Sequence, residues 1–282
     1  MSMTTDYYYK NNESNFISIS GEDHKDFLQN LITNDINACK KENPIYSCLL
    51  SPQGKFLVDF FIIEINGQYL IEVHSKFIEN FFNKLQLYKL RSKVEIKRIN
   101  DFDSYIFFNN ENNIAIPNEI INFQDPRNKN IGTKVFITKD QNFSFEKLSL
   151  SKLNTIDYRE ILMKNLIPYS PEDLEENKSL LLENNFQNIN AISWDKGCYV
   201  GQEITARMKH RSLLKKQIYS LEVISGKVDT GEALKNDQVH LGTVISKTNK
   251  FIVAMLKIEP INEIIKNNKL LETAGGKFKI IH

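Results

Sequence analysis

The run Asp195-Lys196-Gly197-Cys198-Tyr199-Val200-Gly201-Gln202-Glu203 places a thiol, carboxylates, an amide and a cation around two glycines. It continues as Ile204-Thr205-Ala206-Arg207-Met208-Lys209-His210-Arg211. Glycine lets a backbone turn sharply or approach a ligand closely, at a cost in chain entropy. No breaker follows Gly201, and Ile204, Ala206 and Met208 fit a short helix entered from a glycine loop. A thiol at such an entry, with a lysine two residues away, is placed for stabilisation as thiolate, the reactive and metal-binding form. The competing reading is a small buried cysteine in a turn, followed by a basic surface helix.

Other candidate groups are sparse. Asp59 stands in an otherwise apolar strand and shares a face with Leu57 and Phe61 by period-two alternation; buried there it needs a partner, and on an edge strand it needs none. Arg159 and Glu160 are neighbours in a predicted helix, so they point to different faces. Glu183 lies within Leu180–Asn185, ahead of the only tryptophan, Trp194. The cations Arg207, Lys209, His210, Arg211, Lys215 and Lys216 form either an anion-steering run or a solvated face.

The elements that must position these groups interleave. Strands are predicted over Phe16–Ser20, Tyr46–Leu50, Lys55–Ile65 and Gln68–Val73, with turns at Ser51-Pro52-Gln53-Gly54 and Asn66-Gly67. Helices are predicted over Lys25–Thr33 and Lys76–Leu90, then strands over Val94–Arg98, Ser104–Phe108 and Val135–Thr138, with an asparagine-rich loop at 109–113 between the last two. Lys152–Asn165 reads as a helix, and the prolines of Ile167–Glu172 exclude a regular one there. Beyond Arg211 come short strands (Gln217–Ile224, Gln238–Ser246, Lys250–Lys257, Phe278–Ile281) with no long helix, the pattern of a small antiparallel barrel. The fold class is α+β, with a region over 1–210 and a barrel domain over 211–282.

The 282 residues allow a sizeable core. Lys+Arg 36 against Asp+Glu 35 gives no global footprint for nucleic acid or membrane. Three irregularly spaced cysteines, Cys39, Cys48 and Cys198, offer neither a disulfide framework nor a zinc or other metal site. With no secretory or transit pattern at the N-terminus, the expectation is a cytoplasmic protein.

The segment Lys196-Gly197-Cys198-Tyr199-Val200-Gly201-Gln202-Glu203 resembles the signature of the YgfZ-type folate-binding proteins, relatives of the glycine-cleavage T-protein (an aminomethyltransferase, GcvT). The continuation Ile204–Arg207 with His210 is most similar to the mitochondrial and alphaproteobacterial branch that acts in iron–sulfur cluster assembly. Phe27–Asp35, Gln53-Gly54-Lys55 with Asp59, and Tyr158-Arg159 through Ile167-Pro168 resemble further family segments, so the likeness covers roughly Phe16 to Glu259. It implies a multi-lobed ring that accepts tetrahydrofolate or a one-carbon derivative, and iron–sulfur client or assembly proteins as partners, including radical-SAM tRNA-modifying enzymes. Direct nucleic-acid binding is not implied, nor is a membrane. It implies Cys198, Lys196 and Asp59 as the chemically active groups. Glu183 and Arg159 would bind folate, with Tyr199, Gln202, Glu203 and Arg207 of the motif as further cofactor contacts. Two positions depart from the pattern: Val58 replaces an acid beside Asp59, and Leu181 replaces a proline before Glu183. The alternative is a folate-dependent aminomethyl- or methyltransferase. One thiol cannot hold an iron–sulfur cluster alone, because the usual sites use four ligands.

Overall fold

The computed structural model describes residues 6–108, 116–141, 143, 150–211, 214–236 and 239–281. The asparagine-rich loop expected at 109–113 lies outside them. The chain forms two compact units, each assembled from separate stretches: 1–50, 57–155 and 190–200 in the first, 51–56, 156–189 and 201–282 in the second.

The first unit runs β1 (Tyr7–Asn11), β2 (Ser14–Ser20), α1 (His24–Leu31), β3 (Ile45–Leu50), β4 (Phe56–Ile65), β5 (Gln68–His74), α2 (Ile78–Lys89), β6 (Glu95–Ile99), β7 (Phe102–Phe108), β8 (Ile121–Gln124), β9 (Thr133–Thr138) and β10 (Ser151–Lys152). These make two five-stranded sheets, ordered β3-β4-β5-β2-β6 and β10-β1-β7-β9-β8. Asn66-Gly67 joins β4 to β5 with both residues at positive φ (51° and 75°), the turn that asparagine–glycine favours. Alternation along β4 turns Phe60 towards α2, where it stacks on Phe81 at 4.7 Å, and turns Phe61 the other way, under the Lys134 ammonium of β9 at 4.2 Å. Phe16 packs edge-on against Phe136 of the other sheet. Between the sheets the buried Glu72 carboxylate faces Lys134 at 2.7 Å and accepts the Ser104 hydroxyl at 2.6 Å. A buried charge pair persists only when hydrogen bonds satisfy it in this way.

The second unit contains α3 (Thr155–Lys164), α4 (Ser170–Asp173), α5 (Gln202–His210), β11 (Lys216–Gly226), β12 (Ala233–Asn236), β13 (Val239–Lys247), β14 (Phe251–Lys257), α6 (Ile258–Lys266), β15 (Leu271–Thr273) and β16 (Gly276–Ile280). Its six strands are ordered β12-β13-β14-β11-β16-β15, and the edge strands β12 and β15 approach each other, so the sheet is nearly closed. Tyr219, Leu221, Leu234, Val244, Ala254, Leu256 and Phe278 fill its interior. On its outer face Ile218 and Val253 pack with Met163 of α3. The α+β class and the terminal barrel-like sheet agree with the sequence expectation. The short helix α6 is not among the elements expected there; Pro260 sits in its first turn, where its missing N–H has no helical partner to lose. Pro171 is likewise accommodated in the first turn of the short α4. No helix among the described residues is long and apolar enough to cross a membrane.

Candidate functional site

The loop 190–200 is fastened to the end of α1 and the residues after it. Ile32 leaves the helix in an extended conformation (ψ 154°), which leaves carbonyls of the last turn without helical partners. Residues of the loop supply the donors. The Lys196 ammonium is buried and gives its three N–H groups to the carbonyls of Gln29 (2.7 Å), Ile32 (2.7 Å) and Asn34 (2.9 Å). Val200 N–H donates to Asn30 O at 3.1 Å and Ser193 N–H to Thr33 O at 3.0 Å. The Thr33 hydroxyl donates to Ala191 O at 2.7 Å, and the Asn34 side-chain amide to Asn190 O at 2.8 Å. Burial pulls the Lys196 ammonium down to about 8, opposed by the Asp35 carboxylate. The same ammonium lies 5.1 Å from the centre of the buried Tyr199 ring. Inward Lys196 and Tyr199 bracket Gly197 and Cys198, which are exposed.

The buried-cysteine reading therefore fails for Cys198, whereas Cys39 and Cys48 are buried. Burial pushes Cys39 up to about 12 and Cys48 well above the ordinary thiol range. Cys48 lies on β3 with Tyr46, whose hydroxyl makes a short hydrogen bond to the Asp59 carboxylate of β4. Asp59 is on an interior strand and has a partner, so the edge-strand reading is set aside. Burial first, and then Asp59, drive the Tyr46 phenol upwards, which keeps it a donor. The Arg127 guanidinium covers Tyr46 and Phe61 at 5.3 and 4.8 Å and is itself held by Asp125, at 2.8 Å between Nη2 and Oδ2. Val58 is buried on the opposite face of β4 from Asp59, as adjacent strand residues must be.

The remaining sequence candidates fall in the second unit. The Gln53-Gly54 turn forms as expected, with Gly54 at φ +71°. A Cβ there would meet Gly201 O and the Ile204 side chain, each at 2.9 Å, so only glycine fits. Glu183 sits in a 3-10 turn (Leu182–Asn184), mostly buried, with the Lys216 ammonium at 3.5 Å. Arg159 pairs with Glu172 at 2.8 Å and lies over the Tyr169 ring at 5.7 Å. Its buried Nε has no hydrogen-bond acceptor among the described residues. Gln202 opens α5, and Glu203 and Arg207 pair with each other at 2.6 Å on the exposed face of that helix. Cys198, Lys196, Tyr199 and Asp59 are thus gathered in one unit, and Glu183, Arg159, Gln202, Glu203 and Arg207 in the other.

Three groups escaped the sequence reading. Tyr46 and Arg127 act on the Asp59 face from different elements. Asp173 in α4 is fully buried, accepts from Tyr169 N–H at 2.7 Å and takes the Ser246 hydroxyl from β13. Burial raises its carboxyl to about 6, against the pull of Ser246, Tyr169 N–H and Arg159. The sequence carries no signal for Asp173, because Ser246 is 73 residues away.

No protein-family model matches the chain. In sequence it is 31% identical over 222 residues to the iron–sulfur cluster assembly factor IBA57 homolog, mitochondrial, of Neurospora crassa, covering 72% of this chain and 50% of that protein. The protein of the same name from Coccidioides immitis is 30% identical over 234 residues (73% and 54%), and that from Dictyostelium discoideum 24% over 242 (72% and 59%). The chain spans little more than half the length of these curated relatives. In structure it is similar to the glycine cleavage system aminomethyltransferase T of Bartonella henselae, with a TM-score of 0.73 at 9% identity, over 98% of this chain and 84% of that one. One expectation is overturned: these relatives are named mitochondrial, against the cytoplasmic assignment. Unpaired thiols report a reducing environment and do not discriminate between compartments that share one. In sequence, then, the chain is similar to proteins named as mitochondrial iron–sulfur cluster assembly factors, and in fold it is similar to the aminomethyltransferase T of the glycine cleavage system.

Proposed function

We propose that this protein is an accessory factor for assembling or repairing iron–sulfur clusters in client enzymes, with Cys198 as the group that meets the cluster or its carrier. The observation that carries the reading is the exposed Cys198 on a fastened loop, in a chain similar to named cluster assembly factors, while Cys39 and Cys48 are buried. A lone thiolate fits transient contact with a cluster held mainly by another protein, since stable ligation takes more ligands. Clients would include radical-SAM tRNA-modifying enzymes.

The same reading gives the protein a tetrahydrofolate. An amino-pyrimidine edge offers donors to a carboxylate, and its ring carbonyl and glutamate tail take donors from cations. Glu183, which faces the Lys216 ammonium at 3.5 Å, and Arg159, whose buried Nε–H has no acceptor among the described residues, have the matching capacity. Bound folate would supply one-carbon chemistry; Tyr199, Gln202, Glu203 and Arg207 stand as further proposed contacts.

The test is restoration of client enzyme activity in a deletion strain by the wild-type chain and by Cys198→Ala. Full restoration by the alanine variant would remove the thiol from the account. A second reading, a folate-dependent aminomethyl- or methyltransferase, draws support from Asp59 held ready by Tyr46. It requires turnover of an aminomethyl-lipoyl carrier with tetrahydrofolate, and loss of that turnover in Asp59→Asn.

A further inference from the structure

We propose that Lys196 is a positioning residue: its ammonium locks the 190–200 loop onto the end of α1 and so fixes where the Cys198 thiol is presented. The inference rests on the reading of Cys198 as the working thiol. It differs from the expectation that Lys196 activates the thiol by charge.

The geometry separates the two roles. An ammonium has three N–H donors, and those of Lys196 all go to backbone carbonyls, of Gln29, Ile32 and Asn34. Helix α1 has no basic residue in its own last turn. Its negative end is therefore met by a cation from 167 residues away, together with the Val200 N–H on Asn30 O. An ammonium in this setting is spent on the helix end. Tyr199 is fixed on the other side of the thiol by burial and by the Lys196 ammonium over its ring. Gly197 adds an independent sign. It has no positive φ, and a Cβ built on it meets nothing within 4 Å. Neither backbone conformation nor the chain's own packing requires a glycine there, unlike Gly54 and Gly201. The bare, exposed Gly197-Cys198 pair between two inward anchors is thus the part of the loop left open to approach.

The experiment compares wild type, Lys196→Met, Thr33→Val and Thr33→Ser by amide hydrogen exchange and by the pH dependence of iodoacetamide alkylation. Cys39 and Cys48 are buried, so the alkylation reads Cys198. Positioning predicts at least about tenfold faster exchange of the Ser193 and Val200 amides in Lys196→Met. It also predicts a thiol titration midpoint that stays where it is in wild type. Thr33→Val removes the tether to Ala191 O, and the acceptor of Cys48 N–H, without changing charge; it moves exchange in the same direction and reads the fastening of the loop where Lys196→Met does not fold, and Thr33→Ser keeps the hydroxyl and restores protection. Unchanged exchange with a midpoint raised by about one unit would overturn the proposal in favour of charge activation. None of these readouts uses client activity. A failure of Cys198→Ala to impair clients would strike the functional reading alone and leave the exchange result standing.

Discussion

The two halves of the 196–207 segment are built in different ways. Lys196 to Val200 belongs to the first unit and is held by bonds from the loop to the end of α1, with buried and exposed residues following one another over five positions. Gly201 to Arg207 belongs to the second unit and is an ordinary helix entry: a left-handed glycine (φ +80°), then α5 with an exposed Glu203–Arg207 pair one turn apart. An exposed i,i+4 pair contributes little, whereas a buried cation serving three carbonyls cannot be removed without leaving those carbonyls dry. Specific construction in this stretch is therefore concentrated around Cys198, and the second half mainly supplies a turn and a helix.

Substitutions can break or sharpen that contrast. Lys196→Met is expected to cost about 2–4 kcal/mol in urea unfolding, because buried carbonyls lose their donors; a loss under about 0.5 kcal/mol would erase the difference between the halves. The buried charge of the second unit gives a counterpart. Asp173 has a folded value of about 6 against 3.8 for the free side chain. Between those values the folded chain holds the proton more tightly than the unfolded one, so stability from this group is present at low pH and lost as pH rises through about 6. Relative to Asp173→Asn, the wild type should gain about 2.4 kcal/mol between pH 7 and pH 4. A flat difference across that range would contradict the burial cause. Gly201→Ala, at positive φ, should cost about 1–2 kcal/mol. Gly197→Ala should change stability by under about 0.5 kcal/mol and still impair client restoration, which separates a partner's need for bare backbone from a folding need. Arg207→Ala should move stability least, by about 0.3 kcal/mol.

What the sequence revealed depended on how local the cause was. The Asn66-Gly67 hairpin and the glycine at Gly54 were legible because turn geometry is written in adjacent residues. The strands of the terminal barrel are legible from their spacing, while the short helix α6 between β14 and β15 is not announced by that spacing. Lys196 stands out in the sequence for its nearness to Cys198. Its actual partners lie 162 to 167 residues earlier, and no local pattern points to them. Tyr46 and Arg127 carry no local signal for the same reason, since each reaches the Asp59 face from a different strand or connection. That Cys198 is exposed while Cys48 is buried follows from tertiary packing, which three cysteines in a sequence do not distinguish.

The role in cluster assembly turns on the thiol of Cys198. The measurement is the activity of iron–sulfur enzymes in a deletion strain carrying wild type, Cys198→Ala or Cys48→Ala, with protein levels matched. Wild type and Cys48→Ala are expected to restore it, and Cys198→Ala to fail. Full restoration by Cys198→Ala at matched levels would contradict that role.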